Sequence, residues 1–226
     1  MSTIQEDSRD YVVVIGDIVG SRRLPDRAMA QDRLREAVAA FNAASSYELA
    51  APLDVTGGDE IKTILDDPVV CVDVITRLSE ALHPMEMAWG VGRGPITTSW
   101  VPDVGNLDGP CFHRARQASE EASKDGIWAR AHGFSPLDDR TLGTLFRLTG
   151  AIRGGWTDKQ IAYIRSARQR SQKATAAEFD VTEGAVSQSL QRARFADVEE
   201  AEATLRELLA RYRPGTESAG RSEDEA

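Results

Sequence analysis

Two aspartates in this chain stand where charge could be gathered for chemistry. Asp17 follows the apolar run Tyr11-Val12-Val13-Val14-Ile15, and Asp59 lies in Gly57-Gly58-Asp59-Glu60 between two further apolar stretches. The β-branched run predicts a strand buried on both faces, and the glycine-rich link predicts a tight hairpin. If those strands are neighbours, both carboxylates emerge on one sheet edge and repel each other unless a cation lies between them. Mg²⁺ suits such a pair, because it takes one or two carboxylates and completes its shell with phosphate oxygens and water. The expected metal set is Asp17, Asp59 and the carbonyl of Ile18. Gly20, Ser21 and Arg22 open towards a helix whose free N–H groups could receive a phosphate, with Gly58 and Glu60 facing them from the hairpin. Either motif alone reads as an ordinary turn; the pair in strand context reads as a metal–nucleotide site.

The elements that must position these residues can be read along the chain. Strands are expected at residues 11–18, 49–56, 61–65, 85–92 and 127–131, with a further strand at 96–101 beyond Gly94-Pro95. Helical periodicity places Leu34, Ala37, Val38 and Phe41 on one face. It does the same for Val72, Ile75, Leu78 and Leu82. Residues 109–124 and 136–148 read as helices, the latter ending near Gly150. The order β-α-β-β-α-β predicts an α/β (α+β) ferredoxin-like sheet with its helices mostly on one face. Gly154-Gly155 sets a boundary, giving domains over residues 1–153 and 154–212 and a disordered tail over 213–226.

The second part is helical and carries a different constellation. Thr157 and Thr182 are placed to cap helices, and Asp180 stands where such a turn commonly has glycine, Asp tolerating the left-handed conformation better than most residues. Small Ala176 and apolar Phe179, Val181, Val186 and Leu190 fit two helices crossing tightly. This stretch resembles helix-turn-helix regulators and the promoter-reading region of sigma factors. The outward residues Ser187, Gln188, Gln191, Arg192 and Arg194, with Lys173, are types suited to base edges and phosphates of double-stranded DNA. Residues 157–195 hold seven basic and four acidic side chains, a local excess of three, in a chain whose net charge is −9. That overall charge argues against nucleic-acid binding over the whole surface and concentrates the case here. Packing or dimerisation alone is the alternative use of these helices.

Gly16-Asp17-Ile18-Val19-Gly20-Ser21 resembles the first-strand motif of class III nucleotide cyclases. Gly58-Asp59-Glu60 resembles their second metal motif, and Gly57-Gly58-Asp59-Glu60-Ile61 the diguanylate-cyclase hairpin. Gly90-Val91-Gly92-Arg93-Gly94-Pro95 and the segment from Gly109 to Arg116 follow in the cyclase order. That resemblance implies a cyclase-like palm, and it places His113 and Arg116 on the helix that meets the nucleotide in cyclases. The cyclase asparagine and arginine positions hold His113 and Gln117 instead, and no base-selecting lysine is evident near Val55-Thr56. Over nearly its whole length the chain is similar to the SatD family, which pairs this opening with a C-terminal helix-turn-helix.

Composition bounds the rest. No apolar run is long enough to span a bilayer, and residues 1–10 show no secretory signal, so the cytoplasm is expected. Cys71 and Cys111, each among apolar neighbours, read as buried free thiols; His83, His113 and His132 are too dispersed for a metal cluster. The resulting expectation is a DNA-binding regulator, working as a homodimer, that senses a purine nucleotide held with Mg²⁺. An Mg²⁺-dependent enzyme acting on a nucleoside triphosphate is the rival, and a palm serving only as a dimerisation platform is a third reading.

Overall fold

The computed structural model describes residues 9–21, 24–44, 47, 49–101 and 104–214. It is a mixed α/β structure with one five-stranded sheet and, among those residues, eight α-helices. Strand β1 (Tyr11–Ile18) leads to helix α1 (Arg27–Ala44), the hairpin β2 (Leu49–Thr56) and β3 (Glu60–Leu65), helix α2 (Val70–Leu82) and β4 (Met87–Gly94). Helix α3 (Pro110–Asp125) then crosses to β5 (Ala129–His132). The sheet order is β2-β3-β1-β4-β5, with β4 and β5 parallel and every other pair antiparallel. The first four strands thus form the split β-α-β arrangement expected from their order.

Alternation along β1 explains why its apolar run is unbroken. Val12, Val14 and Ile18 enter a core beneath α1 and α2, with Leu34, Val38, Ile75, Leu78 and Leu82. Tyr11, Val13 and Ile15 enter a second core on the other face, with Ile96, Val104, Leu107, Cys111, Phe112 and Ala115. Helix α3 therefore covers the face opposite α1 and α2, the one exception, among the described residues, to the expectation that the α-helices against the sheet lie mostly on one side. Its close seating depends on Gly90 and Gly92 of β4. A Cβ at Gly90 would stand 1.9 Å from the Ala115 carbonyl oxygen, and one at Gly92 2.2 Å from that of Cys111.

Two local expectations fail for physical reasons. Residues 96–101 form no strand. Ile96 drops into the second core, while Thr97 N–H donates to the Asp108 carbonyl and Asp108 N–H to the Thr98 hydroxyl, closing the segment into a loop. Nor does Gly150 end its helix: α4 runs Pro136–Arg153, and Gly150 instead lets α4 approach Trp128, whose Cβ would lie 2.5 Å from a side chain there.

Helices α5 (Asp158–Ala167), α6 (Gln172–Glu178), α7 (Glu183–Arg192) and α8 (Phe195–Ala210) follow. Thr157 caps α5 in a capping box with Gln160, and Thr182 accepts from Ala185 N–H at the start of α7. Trp156, Ile161, Ile164, Ala176, Val186, Leu190, Phe195 and Val198 make a third core. Helix α8 leaves that core halfway along, and its Leu205 and Leu209 join the sheet core. Two buried carboxylates meet two half-buried arginines at the seam. Arg153 and Arg168 both bond Glu80, and Arg168 forks onto Glu202 at 2.7 and 2.8 Å. Arg213, assigned to the tail, bonds Asp67 at 2.8 Å; residues 215–226 lie outside the described residues. No helix among the described residues is long and apolar enough to cross a membrane.

Candidate functional site

The end of β1 and the β2–β3 hairpin meet as the strand order requires. Asp17 is in register with Glu60 of β3 and with Ala88 of β4. Burial pushes the Asp17 carboxyl up to about 6, reinforced by the negative charge of Asp59 and Glu60; the Ile18 N–H and Arg116 oppose this. Asp59 sits in the hairpin turn, held open by Gly57 and Gly58 at positive φ, with Arg27 of α1 at 3.8 Å. At Gly58 a Cβ would meet the Gln31 amide at 2.4 Å. That flexible side chain can move aside, so it is the left-handed backbone at both positions that favours glycine.

Glu60 is balanced differently. Lys62 lies 2.9 Å from it, Arg116 3.0 Å away, and the Thr56 hydroxyl donates at 3.0 Å. Burial raises its carboxyl, and these partners more than offset that, so it lies below the usual range. Helix α3 thus delivers Arg116 to the carboxylates. His113, one turn earlier, pairs with Asp108 at 2.9 Å and is spent there instead. Gly20 is left-handed with open space around it, and the Ser21 carbonyl accepts from Leu24 N–H. Arg22 lies outside the described residues. Among the described residues no group of three or more His, Cys, Asp or Glu side chains could hold a metal ion, so any cation here would rest on two carboxylates and backbone oxygen. Sequence reading missed Lys62 and Arg27. Lys62 was recoverable, since residues two apart on a strand share a face with Glu60.

The raised Asp17 carboxyl has a measurable consequence. Its folded value exceeds the unfolded one, so ionisation opposes folding, fully above pH 6 and not at all below about pH 4. With partial exposure discounted, Asp17→Asn should stabilise the protein by about 1–2 kcal/mol at pH 7.5. Urea midpoints should show that gain vanish by about pH 4. A gain that persists unchanged in acid would contradict the electrostatic account.

The second constellation is on α7. Val186 and Leu190 face the third core, while Ser187, Gln188, Gln191 and Arg192 are exposed on the other side. Asp180 adopts φ 52 in the turn before α7, as expected. The helix stops at Arg192, however. Arg194 lies beyond it, left-handed at φ 53 and bonded to Asp197 at 2.7 Å, so it leaves the α7 face. The charge excess is also thinner at the surface than in the sequence. Arg168 is consumed by Glu80 and Glu202, and Arg170 by Glu178. Lys159, Arg165, Lys173 and Arg192 remain without an acidic partner among the described residues, with Asp158, Asp180 and Glu183 nearby in sequence.

The sequence profile of the SatD family matches residues 11–207, from the first residue of β1 into the last turn of α8. The chain belongs to the SatD family. That match spans both the carboxylate site and α7, so the two constellations lie within one SatD unit. No curated protein matches the chain. Among solved structures, a bacterial light-regulated adenylyl cyclase is similar over 54% of this chain and 75% of its own, with 12% identity and a TM-score of 0.39. A regulator of polyketide synthase expression from Bifidobacterium adolescentis is similar over 91% of this chain and 86% of its own, with 15% identity and a TM-score of 0.24.

Proposed function

We propose that this SatD-family chain is a DNA-binding regulator, acting as a homodimer, whose sheet half senses a nucleotide. The observation that carries the reading is the division of α7, with Val186 and Leu190 buried and Ser187, Gln188, Gln191 and Arg192 exposed. Short polar and arginine side chains on one face, mounted across a tight turn from α6, suit a helix laid in a major groove. Lys173 on α6 suits a flanking phosphate.

The sensing half rests on Asp17 and Asp59. Burial and the charges of Asp59 and Glu60 push Asp17 away from ionisation, and a divalent cation would relieve the repulsion. Asp17, Asp59 and the Ile18 carbonyl fit the donor set of Mg²⁺, which would neutralise the phosphates of a bound purine nucleotide. Gly20, Ser21 and Gly58 would approach those phosphates by backbone. Arg116, 3.0 Å from Glu60, favours the rival reading of an enzyme, because a cation facing the carboxylates can stabilise phosphoryl charge.

Mobility shifts with promoter DNA, with and without Mg²⁺ and ATP or GTP, test the proposal. Arg192→Ala should weaken binding and lower its salt dependence by about one counterion. Nucleotide should change wild-type affinity about fivefold or more, and an Asp17→Ala/Asp59→Ala variant should lose that response. Product formed by the wild type and lost in the variant would favour the enzyme; unchanged DNA affinity in Arg192→Ala would remove α7 as the reading helix.

A further inference from the structure

A cleft of about 290 Å³ lies where the sheet meets the helices, between the C-terminal ends of α2 and α3, the start of β4 and the α4–α5 connection. Trp128, Trp156, Met85 and Ile161 supply apolar wall, and Ser79 and Arg153 polar atoms. It is separate from the Asp17–Asp59 pair, although Val19, two residues beyond Asp17, reaches its rim.

The state of Ser79 says what the cleft would hold. Its hydroxyl oxygen accepts from the Trp89 indole N–H at 2.8 Å and from the Trp128 indole N–H at 3.0 Å. A hydroxyl has two acceptor positions and one donor. Both acceptor positions are filled, and its proton has no acceptor among the described residues. The buried carboxylate of the lining is committed elsewhere, Glu80 bonding Arg153 at 3.0 Å; His83 bonds Asp158 at 2.7 Å, and Glu86 is exposed to solvent. What remains is a space with tryptophan in its wall, Arg153 lying over the Trp128 and Trp156 rings at 4.3 and 4.7 Å, and with hydroxyl donors at Ser79 and Ser123, at the lower end of ligand-pocket volumes.

We infer that this cleft is an effector site for a small, uncharged, two-ring heteroaromatic compound, whose ring nitrogen or carbonyl accepts from Ser79. A direct link to α7 follows from Trp156. Its indole N–H donates at 2.8 Å to the carbonyl of Ala193, the residue that ends α7. An occupant would press on the side chain that anchors that helix end. The site stands on the cleft alone; only its consequence for DNA rests on the proposed function.

N-methylbenzimidazole and N-methylindole make the test, because they share a shape and differ in one ring acceptor. Titrated into the isotope-labelled full chain, the benzimidazole should shift the indole N–H resonances of Trp128 and Trp156 and the backbone amides around Ala193. It should bind about fivefold tighter than the indole, as one neutral hydrogen bond would give. Met85→Trp, which fills the cleft and leaves the Ser79 bonds intact, should weaken binding at least tenfold. Absence of shifts at millimolar benzimidazole, equal affinity of the two compounds, or undiminished binding to folded Met85→Trp would each overturn the site. Should that variant fail to fold, the wild-type comparison decides. No readout involves DNA, so failure of DNA binding leaves the result readable.

Discussion

Arg168→Met should cost about 3–5 kcal/mol of stability, the usual consequence of stripping one partner from a buried ion network. Arg168 donates through Nε to both oxygens of Glu80 at 3.0 Å and through its two terminal nitrogens to Glu202. Those carboxylates are 3% and 1% exposed. With Arg168 removed, Glu80 keeps Arg153 at 3.0 Å but Glu202 keeps only Arg153 and Arg206 at 3.9 Å each, and methionine cannot hydrogen-bond either carboxylate. Arg168→Lys keeps the charge but not the planar fork, so it should recover only part of the loss. Replacing Glu80, Arg153, Arg168 and Glu202 together with apolar residues of matched volume should recover most of it. Urea denaturation of the three variants measures this, and a cost under about 1 kcal/mol for Arg168→Met would mean that the network does not hold the seam.

Gly90→Ala should be nearly as damaging, at about 3 kcal/mol or more, although it adds one methyl group. Overpacking usually costs 1–3 kcal/mol because flexible side chains yield. Here the obstacles are the Ala115 carbonyl oxygen at 1.9 Å and the Ser119 amide nitrogen at 2.4 Å. Backbone of a packed helix cannot rotate away, so α3 must lift from β4 as a whole. Arg116 would lift with it, and the Arg116–Glu60 contact should weaken. A shallow loss in Gly90→Ala, with Gly143→Ala as an unobstructed control, would contradict the seating of α3.

Local patterns made much of this legible in advance. The β1 run, the Gly57-Gly58 hairpin, the stripe on α1 and the threonine caps of α5 and α7 are signals carried within a few residues. So is Asp180, whose side chain tolerates the left-handed turn. What escaped depends on partners distant in sequence. Glu80 reads as a solvated charge beside an apolar stripe until Arg153 and Arg168 arrive from 73 and 88 residues away. Residues 96–101 have strand-like spacing, but their backbone is claimed by Asp108. Arg194 has the spacing to continue the outward face of α7, and nothing nearby in sequence announces the left-handed residue that ends it. At the carboxylates, the pair Asp17 and Asp59 could be read from motif and order, whereas the neutralisation of Glu60 by Lys62 and Arg116 needed the register of β3 and the seating of α3.

Helix α8 also bears on how such a chain emerges from the ribosome. The sheet is encoded before residue 133, yet its core is filled by Leu205 and Leu209. Synthesis of the strands therefore does not finish the unit they belong to. Until α8 has cleared the exit tunnel, apolar surface around α2 and α4 stays wet, and the nascent sheet waits on the helix made after it.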